Sequence, residues 1–481
     1  MSDSASREQS GQRSRWPWFL VAGCLLITLV GLFLSLRNHV PAQPGSADVP
    51  QALATAGDAP RGPNVDSTRL SHRHSNSDAA STAEEIVAGK LARFAQSRRE
   101  IVHGLARRAK VPVPDEVERF FDAVEAGDWD QIKARFDAFH RFDGDADAPG
   151  RRPGMESLWP AILEAYGAAD AVHHWPAQKL LDYGEAVLGT LRPGMVYVGG
   201  TDPGRWIPTM LNETSESERH IVLTQNGLAD GSYLDYLNFL YADRFTTLTS
   251  EDSQRAFQDY MADAQKRLQH DQQFPDEPKQ IRPGEDIKVT DGRLQVSGQT
   301  AVMAINETLL QKLLAKNPGL SFALEESFPF KSTYEGAVPL GPIMELRTQD
   351  GQTALTAESA AQSLDYWRTT TQRMLSDPEA SSSPETLKTW SKLAVGQANL
   401  FAERNYTTEA EQTYRLSMEM WPRNIESVGN LSDLLVRTGR AEEARRLVED
   451  FARSHPDLSS ALESFRPGII VTTQTTPPPR P

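Results

Sequence analysis

Cysteine is almost absent from this sequence: Cys24 is the only one in 481 residues. An intramolecular disulfide is therefore excluded, and so is a metal site built from several thiolates. Basic residues are also too few to balance the acidic ones, and the net charge is −15. Because phosphate binding needs a basic surface, we expect no nucleic-acid partner. The sequence contains no recognised metal or cofactor motif, so we predict neither group.

Long apolar runs are equally scarce, and only residues 16–36 form one. A run of about 20 apolar residues matches the core of a bilayer. Arg7, Arg13 and Arg15 precede it, whereas Arg37 alone follows closely. By the positive-inside rule, this bias predicts a cytoplasmic N-terminus and an exported remainder. We therefore expect a single-pass membrane protein whose bulk is periplasmic or otherwise extracytoplasmic.

Two other interpretations of this segment stay open. A cleaved signal peptide has an apolar core of about 7–15 residues and a small-residue cleavage site. Here the run is longer, and Pro41 interrupts the nearest candidate site. Residues 21–24 resemble a lipobox, in which Cys24 is lipidated, but apolar residues continue beyond that cysteine. The uncleaved anchor is the interpretation that we prefer.

Composition and hydrophobic period divide the chain into eight segments. The segment after the anchor is rich in Pro, Ala, Ser and Gly, which cannot bury enough surface to fold. We predict a cytoplasmic tail (1–15), a transmembrane anchor (16–36), a disordered linker (37–83), a helical region (84–192), an α/β domain (193–350), connecting helices (351–390), two helical repeats (391–458) and a mostly disordered tail (459–481).

Short apolar runs, separated by helical patterns, characterise the α/β segment. They predict strands at 195–198, 221–224, 245–248, 320–324 and 343–346. Strands alternating with helices are typical of an open, mainly parallel sheet. The Asp291-Gly292 pair predicts an inserted β-hairpin over 288–296. The expected fold class is thus α/β, with all-α regions and one N-terminal transmembrane helix.

Polar, glycine-bearing loops follow the first two predicted strands, at 199–205 and 224–230. In open sheets, ligands bind beyond the carboxyl ends of parallel strands. The candidate ligand-binding residues are therefore Asp202, Arg205, Asn226 and Asp230, whose carboxylate, guanidinium and amide groups suit hydroxyls or a sugar. Gly199 and Gly204 have the spacing of a phosphate loop. However, Arg205 occupies the position of the lysine that such a loop requires, so a nucleotide is not predicted.

A purely structural role accounts for the same loops. Asp202 can cap the helix that begins at Pro203, a favoured first-turn position for proline. Asp230 can cap the next helix in the same way. Glu325 ends a later strand, and it either pairs with an arginine or approaches the same sheet edge. In both interpretations we expect Arg205 to lie at the surface.

An internal repeat of 34 residues lies near the C-terminus. Small, large, turn and proline positions recur with that offset: Ala398 and Ser432, Phe401 and Leu435, Asn405 and Gly439, Ala410 and Ala444, Pro422 and Pro456. The pattern resembles the tetratricopeptide repeat, over about 391–424 and 425–458. Gln397 and Phe451 depart from that family's pattern. Since about three repeats make a stable stack, we expect the helix at 357–376 and the sheet to supply a neighbour.

A second resemblance covers roughly residues 175–350. The block from Met195 to Leu240, with its two strands and two glycine-bearing loops, is similar to the soluble extracytoplasmic domain of polytopic O-mannosyltransferase-like membrane proteins. This chain has one predicted membrane segment, whereas those proteins have many. The resemblance therefore implies an accessory or ligand-sensing domain rather than a complete glycosyltransferase.

These observations predict a membrane-anchored extracytoplasmic scaffold of a cell-envelope assembly, which binds a protein partner through its repeats. The alternative is an envelope enzyme, or an accessory domain, that acts on a polar ligand such as a glycan at loops 199–205 and 224–230. The identity of the ligand or partner, the oligomeric state and any catalysis stay open.

Overall fold

The computed structural model describes residues 81–140, 155–200, 202–217, 219–282, 284–290, 293–325, 334–346 and 355–465. The predicted anchor with Cys24, nearly all of the predicted linker and the end of the predicted tail lie outside these ranges. Within them, no helix is both long and apolar enough to cross a membrane.

Five helices form the first part of the described chain. They are α1 (Ala83–Ala109), α2 (Asp115–Ala126), α3 (Trp129–His140), α4 (Met155–His174) and α5 (Ala177–Leu188). Thr82 and Glu85 start α1 with a reciprocal capping box. Gly127, with φ +67°, makes the turn between α2 and α3, whose Phe120 and Phe136 are fully buried. Helices α2 and α3 therefore form a helical hairpin within the predicted helical region.

A small five-stranded sheet follows, in the order β2-β1-β5-β7-β6. The strands are β1 (Val196–Gly199), β2 (Ile221–Thr224), β5 (Phe322–Leu324), β6 (Ala337–Leu340) and β7 (Ile343–Leu346). Both neighbours of β1 are parallel to it, whereas β7 is antiparallel to β5 and to β6. The sheet is therefore mixed rather than mainly parallel, and the molecule is mostly helical.

Four helices and a separate hairpin lie between these strands. The helices are α6 (Pro203–Glu213), α7 (Gly231–Tyr241), α8 (Ser250–Gln273) and α9 (Gln299–Lys316). The hairpin pairs β3 (Asp286–Thr290) with β4 (Arg293–Ser297) in antiparallel register. The predicted inserted hairpin is thus confirmed.

The strand that we predicted at 245–248 is wrong. Phe245 and Leu248 are buried, but this segment has no strand partner. Instead, the Asn317 side chain accepts a hydrogen bond from the Thr246 amide and donates one to its carbonyl, both at 2.9 Å. A side-chain amide therefore satisfies backbone groups that a neighbouring strand normally satisfies.

The backbone groups at the two edges of the sheet are kept from pairing with a further strand in different ways. On β2, the Thr224 amide donates to the Tyr233 hydroxyl at 2.7 Å, and the Val222 backbone hydrogen-bonds to Tyr241. Both tyrosines belong to α7. The other edge strand, β6, was not predicted, because Pro339 weakens its strand pattern; proline is tolerated there because the strand lies at an edge.

Seven helices complete the described chain. They are α10 (Ala357–Ser376), α11 (Pro378–Ser381), α12 (Pro384–Glu403), α13 (Thr407–Met420), α14 (Ile425–Arg437), α15 (Ala441–Ser454) and α16 (Ser459–Phe465). Helices α13 and α15 begin and end 34 residues apart. Asn405 and Gly439 both have positive φ, of 63° and 79°, at equivalent turns. Ala410 and Ala444 are fully buried.

The repeats do not stand apart from the rest of the structure. Helix α10 packs against α13, and α12 contacts β6 and β7. One continuous cluster of buried apolar side chains extends from Val87 in α1 to Ala444 in α15. The sheet and α10 therefore supply the neighbour that two repeats lack.

Candidate functional site

The two loops with the candidate residues lie at the same edge of the sheet. Strand β1 is parallel to both of its neighbours, and Gly199 is in register with Thr224. The carboxyl ends of β1, β2 and β5 therefore meet at one edge, where open sheets bind ligands. The loops are neighbours, as predicted, but three of the four candidate side chains bond to separate partners within the protein.

Asp202 caps α6 and also joins the sheet to the repeats. Its Oδ1 accepts a hydrogen bond from the Gly204 amide at 3.0 Å, and its Oδ2 forms an ion pair with Lys392 of α12. Burial acts to raise the pKa of the Asp202 carboxyl, but the Lys392 and Lys388 ammonium groups outweigh it and hold that pKa below its usual range. The carboxylate therefore has two structural partners.

Arg205 is almost fully buried, so the prediction that it lies at the surface is wrong. Its Nη1 donates to Glu164 Oε1 at 3.1 Å, and its Nε donates to the Gly200 carbonyl at 2.7 Å. Glu164 Oε2 also accepts from the Tyr236 hydroxyl at 2.6 Å and lies 3.0 Å from Arg98 Nε. We call Arg98, Glu164, Arg205 and Tyr236 the Glu164 cluster.

The Glu164 cluster draws one side chain from each of four helices, α1, α4, α6 and α7. A carboxylate taken out of water needs several charged or hydrogen-bonding partners to be tolerated. Burial is the main cause that raises the pKa of Tyr236 far above its usual value, so the phenol remains a neutral donor. Arg205 is therefore committed to the interior and is directed away from a ligand at the sheet edge.

The second loop contributes one further cap and one available amide. Asp230 Oδ1 accepts from the Ser232 amide at 2.9 Å and from the Ser232 hydroxyl at 2.8 Å, which caps α7. Asn226 is partly exposed, and its side chain makes no hydrogen bond within the described residues. Of the four candidates, Asn226 alone retains an unused polar group.

Glu325 approaches the same edge, which is one of the two alternatives predicted for this residue. Its Oε2 accepts from the Gly200 amide at 3.3 Å. A Cβ on Gly204 would lie 1.7 Å from Glu325 Oε1 and 3.0 Å from Asp202 Oδ1, so a larger residue would displace the Glu325 carboxylate. These carboxylates occupy the backbone amides that a phosphate would need, which argues against a phosphate ligand.

Two buried phenols lie beside this carboxylate. The hydroxyls of Tyr183 and Tyr197 both donate to the Gly204 carbonyl, at 3.2 and 3.0 Å. Burial, followed by the charge of Glu325, raises the pKa of both phenols well above the usual value. They are therefore neutral donors that fix the start of α6. No group of three or more histidine and carboxylate side chains within the described ranges is arranged to hold a metal ion.

Sequence reasoning missed Glu164, Lys392, Tyr183 and Tyr197. The partners of Glu164 and Lys392 are 41 and 190 residues away in the chain. Tyr183 and Tyr197 bond to a backbone carbonyl, that of Gly204, which no residue type in the sequence indicates. One signal was present for Glu164: it is the lone charge between Ile162 and Ala165 on an otherwise apolar stretch of α4. A single carboxylate on a buried helix face indicates a buried cationic partner. Lys392 carries no comparable signal.

Comparison with known proteins adds no assignment. The chain matches no protein-family model, no curated protein and no solved structure.

Proposed function

We propose that this protein is a membrane-anchored extracytoplasmic scaffold of a cell-envelope assembly, and that its tetratricopeptide-like repeats bind a protein partner. The observation that carries the proposal is the 34-residue register of α13 and α15, with matched turns at Asn405 and Gly439. Stacked helical hairpins of this period provide extended binding surfaces. The apolar run at 16–36 supports the membrane anchor.

The free surface of the repeats lies on the second hairpin. Helix α12 is buried along most of its length, because it packs on β6, β7 and α13. By contrast, α14 leaves Val436 43% exposed, followed by an exposed Arg437. An apolar residue beside an exposed cation is a reasonable anchor for a partner. We therefore place the partner on α14.

The alternative, a polar ligand at loops 199–205 and 224–230, has weaker support. Asp202 and Asp230 cap helices, and Arg205 belongs to the Glu164 cluster. A binding site needs polar groups that converge on a concavity. Asn226 is the only one of the four that has an unused side chain.

A photo-crosslinking experiment tests the scaffold. A photoreactive amino acid replaces Val436 on α14 in the full-length chain, in the cells that make it, and Arg446 on the exposed face of α15 provides the matched control. We expect one discrete protein to crosslink at position 436 and not at position 446. Absence of a crosslink at 436, or equal crosslinking at both positions, contradicts the proposal.

The anchor has a separate test. A reporter fused after Pro481 should be active only outside the cytoplasm, and the fusion should remain in the membrane after an alkaline wash. A shortened, soluble product would contradict the uncleaved anchor and would leave the crosslinking result unaffected.

A further inference from the structure

A groove lies where the end of α5, the β6–β7 turn of the sheet and α10 meet. Its walls are the C-terminal end of α5, the turn between β6 and β7 at Pro342, and one face of α10. The volume of 380 Å³ falls within the range of about 300–1,000 Å³ that small-molecule sites occupy. None of the four residues predicted from the sequence lines it.

One wall presents a cation. Arg373, in the last turn of α10, lines the groove and is exposed. Its guanidinium lies 5.9 Å from the centre of the Trp390 ring, a contact that holds it by cation–π attraction. It has no carboxylate partner among the described residues. The guanidinium is therefore oriented but electrostatically unpaired.

The wall formed by α5 presents an anion. Glu185 lines the groove one turn before the end of α5, and its Oε1 lies over Gly189, 3.2 Å from where a Cβ would be. The C-terminal end of a helix carries partial negative charge, so an acidic side chain there favours a nearby cation. Within the described part of the chain, Glu185 has no such partner.

The groove thus offers an unpaired anion on its α5 wall and an unpaired cation on its α10 wall, and its lining is mainly apolar. We propose that it binds a free α-amino acid with an apolar side chain. The α-carboxylate pairs with Arg373, as guanidinium groups favour carboxylates, and the α-ammonium pairs with Glu185. Tyr366 lies on the same wall as Arg373, and its hydroxyl can donate to the carboxylate.

Isothermal titration of the full-length protein with L-leucine, L-methionine and L-phenylalanine tests this site. We expect at least one of them to bind the parent. Arg373→Gln and Glu185→Gln should each weaken binding by about tenfold or more, because each removes one charge-assisted contact. Arg368→Gln is the matched control, since Arg368 lies on α10 outside the groove and pairs with Asp365. It should bind as the parent does.

Two analogues separate the charges. N-acetyl-L-leucine lacks the ammonium and should bind weakly, with no further loss in Glu185→Gln. L-leucinamide lacks the carboxylate and should behave in the same way with Arg373→Gln. The proposal is overturned if the parent binds none of the three amino acids at up to about 10 mM, or if either glutamine variant binds as the parent does. Thermal melts of both variants check that they fold. This site is independent of any protein partner on α14.

Discussion

The loops after β1 and β2 and the two C-terminal repeats both have the sequence character of recognition elements, yet they differ in what their polar residues do. At the loops, Asp202, Asp230 and Arg205 bond to the protein itself. In the repeats, small residues such as Ala410 are buried, and charged residues remain on the outer faces. A polar loop on a sheet edge can therefore be structural, whereas a repeat with the right register keeps a free surface.

Arg205→Met should have the largest effect on the free energy of unfolding. Arg205 lies at the end of loop 199–205, after β1, and its replacement breaks the Glu164 cluster. We expect a loss of about 3 kcal/mol in the free energy of unfolding, the lower end for breaking a buried ion pair, since Arg98 still contacts Glu164. The control is Arg219→Met, whose half-exposed ion pair with Glu213 is worth less than about 1 kcal/mol. Urea unfolding measures both. Equal stabilities would show that Arg205 is not committed to the interior.

The two C-terminal repeats depend on close contacts between their helices. Ala410→Trp and Ala444→Trp should each cost about 1–3 kcal/mol, because neither fully buried position has room for an indole. Ala441→Trp is a matched control, since Ala441 is exposed at the start of α15. The measurement is the free energy of unfolding of each of the three variants. If the buried and exposed variants are equally stable, the 34-residue register is incorrect.

Asp202 connects the two regions, so its replacement should have an intermediate effect. Asp202→Ala removes a helix cap and should cost about 1 kcal/mol. Asp202→Asn keeps the cap but loses the Lys392 ion pair, and so it should cost less. Because the pKa of Asp202 is depressed, its contribution is present above about pH 4 and is lost as the pH falls through the folded pKa. Denaturation series from pH 2 to 7 give the measurement.

The same variants test a ligand at the loops. If a glycan, nucleotide or divalent metal raises the melting temperature of the parent but not of Asp202→Asn, the loops form a binding site. A parent that responds to none of these compounds, together with a destabilised Asp202→Ala, supports the cap alone.

The smallest expected effect on stability concerns two adjacent histidines, His173 and His174, in the last turn of α4. The hydrogen bond to Asp170 raises the pKa of His174, whereas burial lowers that of His173, which stacks on Trp129 with ring centres 4.6 Å apart. The raised pKa of His174 stabilises the fold below about pH 6.5, and this contribution is lost as the pH rises through the folded pKa. NMR titration should show His173 losing its proton at lower pH than His174. The reverse order would contradict the geometry.

Local patterns predicted the local structure well. Glycine, apolar period and caps indicated the hairpin β3–β4, the strands at 221–224 and 343–346, and the 34-residue repeat, because each depends on neighbours in the chain. The failures have a common cause. Residues 245–248 bury apolar side chains without a strand because Asn317 satisfies their backbone, and this partner is 71 residues away from Thr246.

The candidate site shows the same limit. The sequence correctly placed two polar loops side by side, since parallel strands end at one edge. It did not indicate that Glu164 would draw Arg205 inward across 41 residues, or that Lys392 would reach Asp202 across 190. Whether a polar side chain is free or committed depends on such distant partners. The local pattern around Glu164 indicates that a cationic partner exists, but it does not identify which residue that partner is.

The protection of the outer strands has a consequence for behaviour at high concentration. Amides on an exposed edge invite a strand from another molecule, which is a common start of aggregation. On β2, the Val222 and Thr224 backbone already bonds to tyrosine hydroxyls of α7, and on β6 the Pro339 nitrogen has no proton to donate. At high concentration, copies of the chain come close to one another. With both outer strands protected, the sheet offers these copies little opportunity to extend it.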